Sequence, residues 1–200
     1  METYVNGPFM ENTYLINNGL DAILVDPGEG ILEYLSSINK YNIKAILLTH
    51  GHIDHIDGIK YFLDKDIYVS KDELDFFTNP SKSLYAEYGG NIPFDVNKLN
   101  LHLIENDQIL DIIGYKIKCI ATPGHTIGSM CFLFNDTFLI SGDTLFQVGI
   151  GRTDFLTGDF KMLIASLDKL KNLPDNTVVY PGHGVSTSIA FEKKYNPYFK

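Results

Sequence analysis

The chain has 200 residues, with 25 acidic against 16 basic side chains and a formal net charge of −9. No cluster of Lys and Arg stands ready to neutralise nucleic-acid phosphates, so DNA and RNA are not expected partners. Apolar residues make up 44% and charged residues 20%, which suits a chain that buries a core and excludes an extended disordered one. Apolar runs such as Ala45-Ile46-Leu47-Leu48 fall far short of the roughly 20 residues that cross a bilayer. Met1-Glu2-Thr3-Tyr4 has no basic segment leading into an apolar one. Two cysteines, Cys119 and Cys131, cannot build a disulfide framework. The expectation is a cytoplasmic chain folded as one domain over residues 1–200, without a membrane partner, as a monomer or small homo-oligomer.

In chain order, Thr13 to Ile16 reads as a strand, Asn17-Asn18-Gly19 as a turn and Ala22 to Val25 as the returning strand. Asp26-Pro27-Gly28 breaks the chain. Ile31, Leu32, Leu35 and Ile38 recur at helical spacing, and Ile43 to Leu48, apolar apart from Lys44, has the character of a strand covered on both faces. Ile67 to Val69 predicts a short strand, Lys71 to Phe77 a short helix, and Ser81 to Gly90 a loop or partly helical lid. Strand patterns return over Leu101 to Ile104, Tyr115 to Ala121, Cys131 to Phe134 and Phe138 to Ile140. Asp159 is placed to cap a helix with the stripe Phe160, Leu163, Ile164, Leu167 and Leu170. Val178 to Tyr180 predicts a last strand, and a final helix runs from about Ser186 to Lys194. These elements fall into two similar halves and describe sheets covered outside by helices, an α/β domain.

Directly after the apolar strand comes Thr49-His50-Gly51-His52-Ile53-Asp54-His55. Three imidazoles and a carboxylate in so short a stretch form a metal-ligand pattern, and in the absence of thiolate the donors suit zinc, iron or manganese. His125 in Thr122-Pro123-Gly124-His125-Thr126, Asp143 in Ser141-Gly142-Asp143-Thr144 and His183 in Pro181-Gly182-His183-Gly184 each follow a predicted strand. Glycine beside each of them lets the backbone approach closely. Thr49, Asp57 and Ser141 are candidates to orient the imidazoles by hydrogen bonds. Tyr85 and Tyr88 are candidates to wall a channel, His102 reads as an exposed bystander, and the cysteines read as small core residues.

In their order and spacing, these motifs resemble the metallo-β-lactamase fold hydrolases. Asn12-Thr13-Tyr14 and Asp26-Pro27-Gly28 fit that family's opening strands, and the resemblance spans essentially the whole chain. Gly142-Asp143-Thr144-Leu145-Phe146 with Gly151-Arg152-Thr153-Asp154 narrows it to the glyoxalase II and persulfide dioxygenase branch, and the chain resembles the short bacterial glyoxalase II-type proteins. The resemblance implies a four-layer αββα sandwich with the metals at one edge, between the sheets. It implies that His50, His52 and His125 hold one divalent metal ion, that Asp54, His55 and His183 hold a second, and that Asp143 bridges them. Zinc is the default ion, with iron or manganese fitting the same donors. Arg152 matches a position that contacts the carboxylate of glutathione, and its planar fork suits that group, the alternative being a structural ion pair with Asp154.

Two such cations lower the pKa of a shared water from 15.7 towards ~7, so a bridging hydroxide becomes available to attack a carbonyl. Asp54 can orient that hydroxide, while one metal stabilises the oxyanion. The implied substrate is a small-molecule thioester such as S-lactoylglutathione, whose thiolate departs without a dedicated general acid. Longer glyoxalase II enzymes bind glutathione partly through a helical extension that this chain lacks, which leaves another acyl substrate open. The alternative in the same branch is a persulfide dioxygenase holding one iron through His50, His125 and Asp143.

Overall fold

The computed structural model describes residues 1–88 and 90–200, so Gly89, within the loop expected over Ser81 to Gly90, lies outside the described residues. Two mixed sheets face each other. The first holds β1 (Glu2–Asn6), β2 (Glu11–Asn18), β3 (Asp21–Val25), β4 (Asn42–Leu47), β5 (Asp66–Ser70) and β6 (Asn100–Ile104), side by side in chain order. Its first two pairings are antiparallel, and β3, β4, β5 and β6 run parallel. The second sheet draws on β7 (Ile109–Ile112), β8 (Tyr115–Ala121), β9 (Met130–Phe134) and β10 (Phe138–Gly142). After a small hairpin of β11 (Leu145–Phe146) and β12 (Gly149–Ile150), it is completed by β13 (Val178–Pro181) and β14 (Thr187–Ser188). Its order is β14-β13-β10-β9-β8-β7, with β10 and β13 parallel.

Strand alternation divides the apolar side chains between layers. In β3, Ile23 and Val25 face the other sheet and join Tyr14, Leu47, Phe132 and Phe134, whereas Ala22 and Leu24 face outward. That outer face is covered by short helical turns: Ile31–Tyr34, α1 (Leu35–Ile38), α2 (Ile53–Ile56), Asp57–Tyr61 and Lys71–Phe77. The second sheet is covered by α3 (Phe160–Leu170) and α4 (Ile189–Tyr195), whose Leu167, Leu170 and Ile189 pack on Leu133, Leu139 and Val179. The expected four-layer αββα sandwich of the metallo-β-lactamase fold is the one observed. No helix among the described residues is long and apolar enough to cross a membrane.

Local differences from the sequence reading have local causes. The helix expected over Ile31 to Ile38 is a 3₁₀ turn followed by a single α turn; Ile31 and Ile38 are buried but Leu32 is exposed. Two adjacent serines and a span of only two turns cannot sustain a longer α-helix. The final helix starts at Ile189, because Thr187 and Ser188 first pair with β13. The edge strands β1, β7 and β14 and the β11–β12 hairpin carry too few residues to show a period.

Candidate metal centre

Four strand ends meet along one edge of the sandwich. The segment from His50 to His55 leaves the end of β4 in the first sheet, while His125, Asp143 and His183 follow β8, β10 and β13 in the second. The sheets are joined there directly. Asn12 of β2 donates its backbone N–H to Gly182 O at 2.7 Å, and its side-chain amide donates to Pro181 O and Gly184 O at 3.0 and 2.9 Å. Tyr14 donates its hydroxyl to Pro181 O at 2.6 Å. Gly142 has φ of +49°, and a Cβ there would collide with the Thr49 side chain. That turn therefore needs glycine to bring Asp143 against the β4 loop.

The structure brings together all seven side chains that the motifs single out. His50, His52 and His125 form one group whose donor atoms lie within 4.8 Å of one another, and Asp54, His55 and His183 form another. Asp143 stands between the groups: Oδ1 is 3.4 Å from His55 Nε2, and Oδ2 is 3.5 Å from His125 Nε2 and 3.6 Å from His183 Nε2. The residues fit a cation on a second observation. His50 Nε2, His55 Nε2 and Asp143 Oδ1 are buried without a hydrogen-bond partner, although buried polar atoms are ordinarily paired. Donors of this chemistry suit a divalent transition ion.

Burial and the neighbouring imidazoles hold His50 and His52 well below the usual imidazole range, and burial lowers His125 as well. These rings are therefore neutral, the form that binds a cation. Burial acts the same way on His55, but the charges of Asp54 and Asp143 outweigh it and raise that ring well above its ordinary value. Burial likewise opposes ionisation of Asp143, and the imidazoles of His55, His125 and His183 hold it ionised regardless. A cation entering the second group consequently displaces protons.

The other ring nitrogens are fixed by the protein. Asp26 Oδ2 holds His55 Nδ1 at 3.0 Å, while Thr49 donates its backbone N–H and hydroxyl to the same carboxylate at 2.8 and 2.6 Å. Thr49 Oγ1 also meets His50 Nδ1 at 3.1 Å, as the sequence suggested. Asp57 and Ser141 do not play the part expected of them. Asp57 pairs with Lys60 at 2.6 Å and accepts from Tyr85, and Ser141 donates to Leu145 O. In the sequence Asp26 reads as part of a turn and of the family's opening strands, and neither reading points to a histidine partner. His125 Nδ1 is held by the Arg152 carbonyl at 2.7 Å, a backbone role with no side-chain signature.

A cavity of about 260 Å³ opens over the centre, walled by Phe9, Ile53, Leu84, Tyr88, Phe146 and Phe155, with Arg152 on its lining. Tyr88 lines it as expected, whereas Tyr85 is buried against Asp57 and does not. The Arg152 fork is engaged by Asp154 at 2.9 and 2.8 Å and lies over the Phe155 ring, 4.4 Å from its centre. His102 sits on an edge strand, paired with Asp66 at 2.9 Å, and the cysteines are buried and free.

Residues 6–183 match the family model of the metallo-beta-lactamase superfamily, and the chain belongs to that superfamily. Among similar proteins are a probable metallo-hydrolase of Streptococcus pyogenes, 37% identical over 94% of this chain and 85% of its own, and the hydroxyacylglutathione hydrolase GloC of Haemophilus influenzae, 34% identical over 95% and 93%. The fold superposes on the crystal structure of the B3 metallo-beta-lactamase BLEG-1 with a TM-score of 0.91, at 31% identity, covering 100% of this chain and 99% of that one. It superposes on TTHA1623 in a di-iron-bound form with a TM-score of 0.85, also at 31% identity, covering 99% and 100%. Fold, family and the His/Asp cluster together describe a metal-dependent hydrolase that binds divalent ions.

Proposed function

We propose that this protein is a dinuclear metallohydrolase cleaving a small-molecule thioester of the S-lactoylglutathione type. The observation that carries the reading is Asp143 standing within 3.6 Å of three imidazoles drawn from both groups. In this reading His50, His52 and His125 hold one ion, Asp54, His55 and His183 hold the other, and Asp143 serves both. Zinc is the default ion; the same donors take iron or manganese. When bound, such ions acidify water and polarise an acyl carbonyl.

The chain's own residues supply the rest. Asp54 Oδ2, 3.2 Å from His183 Nε2, is an acceptor at the mouth of the centre that can orient a water. The aromatic walls exclude bulk water from the acyl group, and a cavity of about 260 Å³ admits a small molecule rather than a polymer. Arg152 can offer its fork to a carrier's carboxylate by giving up Asp154, since both side chains are about two-thirds exposed and their pairing is weak. The hydroxyacylglutathione hydrolase relative supports the thioester among acyl substrates.

Protein loaded with zinc, iron or manganese should release free thiol from S-lactoylglutathione. Replacing His55 and Asp143 together by Ala should lower kcat/KM by at least about 10³-fold, the scale of losing electrostatic stabilisation at the reacting centre. Full activity in that double variant overturns the mechanism. Oxygen uptake on glutathione persulfide, or turnover of a β-lactam, beside an inert thioester overturns the substrate.

A further inference from the structure

We propose that Glu73 is a positioning residue for the metal centre, a single buried carboxylate that clamps the loop of His50 and His52 to the loop of His125. The proposal rests on the ligand reading above. Glu73 lies on the 3₁₀ turn Lys71–Phe77, which follows β5 and is capped by Ser70. Its side chain is fully buried. Oε2 accepts the Gly51 N–H at 2.7 Å, between His50 and His52, and Oε1 accepts the Gly128 N–H at 2.8 Å, in the turn just beyond His125. The Thr126 hydroxyl, next to His125, is held by Ser129 Oγ at 2.7 Å in the same turn.

The loops are shaped to admit it. A Cβ on Gly51 would come within 3.0 Å of Glu73 Oε2, and one on Gly128 within 2.7 Å of Oε1. Phe76, on the same turn, packs against the His52 ring with centroids 5.9 Å apart.

Among the described residues Glu73 makes no salt bridge, so neither Lys nor Arg compensates the buried charge. An uncompensated buried carboxylate is a poor device for stability, because desolvation opposes it. Burial accordingly pushes its pKa up to about 7 against the hydrogen bonds it accepts. What the ionised group does provide is geometry. Both oxygens face N–H donors, so they fix the spacing of the two loops beside the direct contact of His52 Nδ1 with His125 Nε2 at 3.0 Å. Groups that orient ligands in this way commonly affect metal affinity 10–100-fold.

The test is Glu73→Gln, which keeps the volume but turns an amide N–H₂ towards one of the two backbone N–H groups. Zinc affinity, measured by chelator competition, should fall about 10–100-fold at the site of His50, His52 and His125. The metal-free variant should unfold within a few degrees of its parent. A merely structural role predicts the reverse, a lowered unfolding temperature with unchanged zinc affinity per folded molecule, and that result overturns the proposal. Should Glu73→Gln fail to fold, Gly128→Ala leaves the carboxylate and opens one arm; unchanged affinity there overturns the proposal too. A parent that takes up none of zinc, iron and manganese sinks the centre and the clamp together, whereas two tight zinc ions in both parent and variant sink the clamp alone.

Discussion

Asp26 shows how much of this centre is set by residues outside the seven that the motifs single out. It occupies the left-handed region with φ of 49°, which Asp tolerates better than most residues, and this turns its carboxylate onto Thr49 and His55. Asp26→Ala should weaken metal binding 10–100-fold, since His55 loses its orienting partner; chelator competition measures this, and unchanged affinity would refute it. Glu73 makes a pH prediction for the metal-free protein. Its folded pKa of about 7 lies above the ordinary 4.5, so between those values the folded state holds a proton that the unfolded state has lost. Stability therefore falls as pH rises from about 4.5 to 7 and levels off above, by ~3 kcal/mol at most from this one group. Asp72 adds to the effect and the hydrogen bonds that Glu73 accepts reduce it. Urea unfolding of parent and Glu73→Gln at pH 5 and pH 8 reads the difference. The seven clustered side chains were legible because His and Asp beside glycine at strand ends carry their chemistry in their identity. Asp26, Glu73 and the Arg152 carbonyl were not, because they act through backbone groups that only the fold brings within reach.

Among the elements, the β11–β12 hairpin carries an unusual residue at its tip. Val148 has φ of 56°, a conformation that β-branched side chains resist, yet its N–H is held by Glu192 of α4 at 2.9 Å. Glu192 is itself buried and also accepts from Asn196 at 2.8 Å and from Thr187. The last helix thus pins the hairpin that presents Phe146 to the cavity. Val148→Gly should relieve the strain and, after glycine's greater unfolded-state entropy, stabilise by about 1 kcal/mol or less. A lower unfolding temperature would count against strain at this turn. The N-cap of α3, where Asp159 accepts the Met162 N–H at 2.9 Å, was legible from Asp ahead of an apolar stripe. Asp159→Ala should cost about 1 kcal/mol, read as a fall of roughly 2–4 °C in calorimetric unfolding. The short 3₁₀ turns were less legible, because a stretch of four or five residues holds little more than one helical period.

For the whole molecule, the proposed centre should also contribute to stability. His50 Nε2, His55 Nε2 and Asp143 Oδ1 are buried without partners, so chelation should leave a weaker protein. Zinc at about 1,000 times its Kd adds ~4 kcal/mol per site, which for a chain of this size raises the unfolding temperature by roughly 10 °C. Calorimetry with and without chelator measures this, and an unmoved transition would argue against tight binding. Composition and periodicity alone reached an α/β domain; the layered sandwich came from the motifs' resemblance. The reason is that the pairing of β10 with β13, across a hairpin and a helix, leaves no local trace in residue pattern.

Asn12 and Tyr14, near the start of the chain, grip Pro181 and Gly184, beside the final histidine of the cluster. His183 is the last of the seven clustered side chains to be synthesised, and the pocket formed by the other six waits for it. In the proposed dinuclear reading, the second ion therefore has a complete site only once the segment carrying His183 has docked on Asn12 and Tyr14.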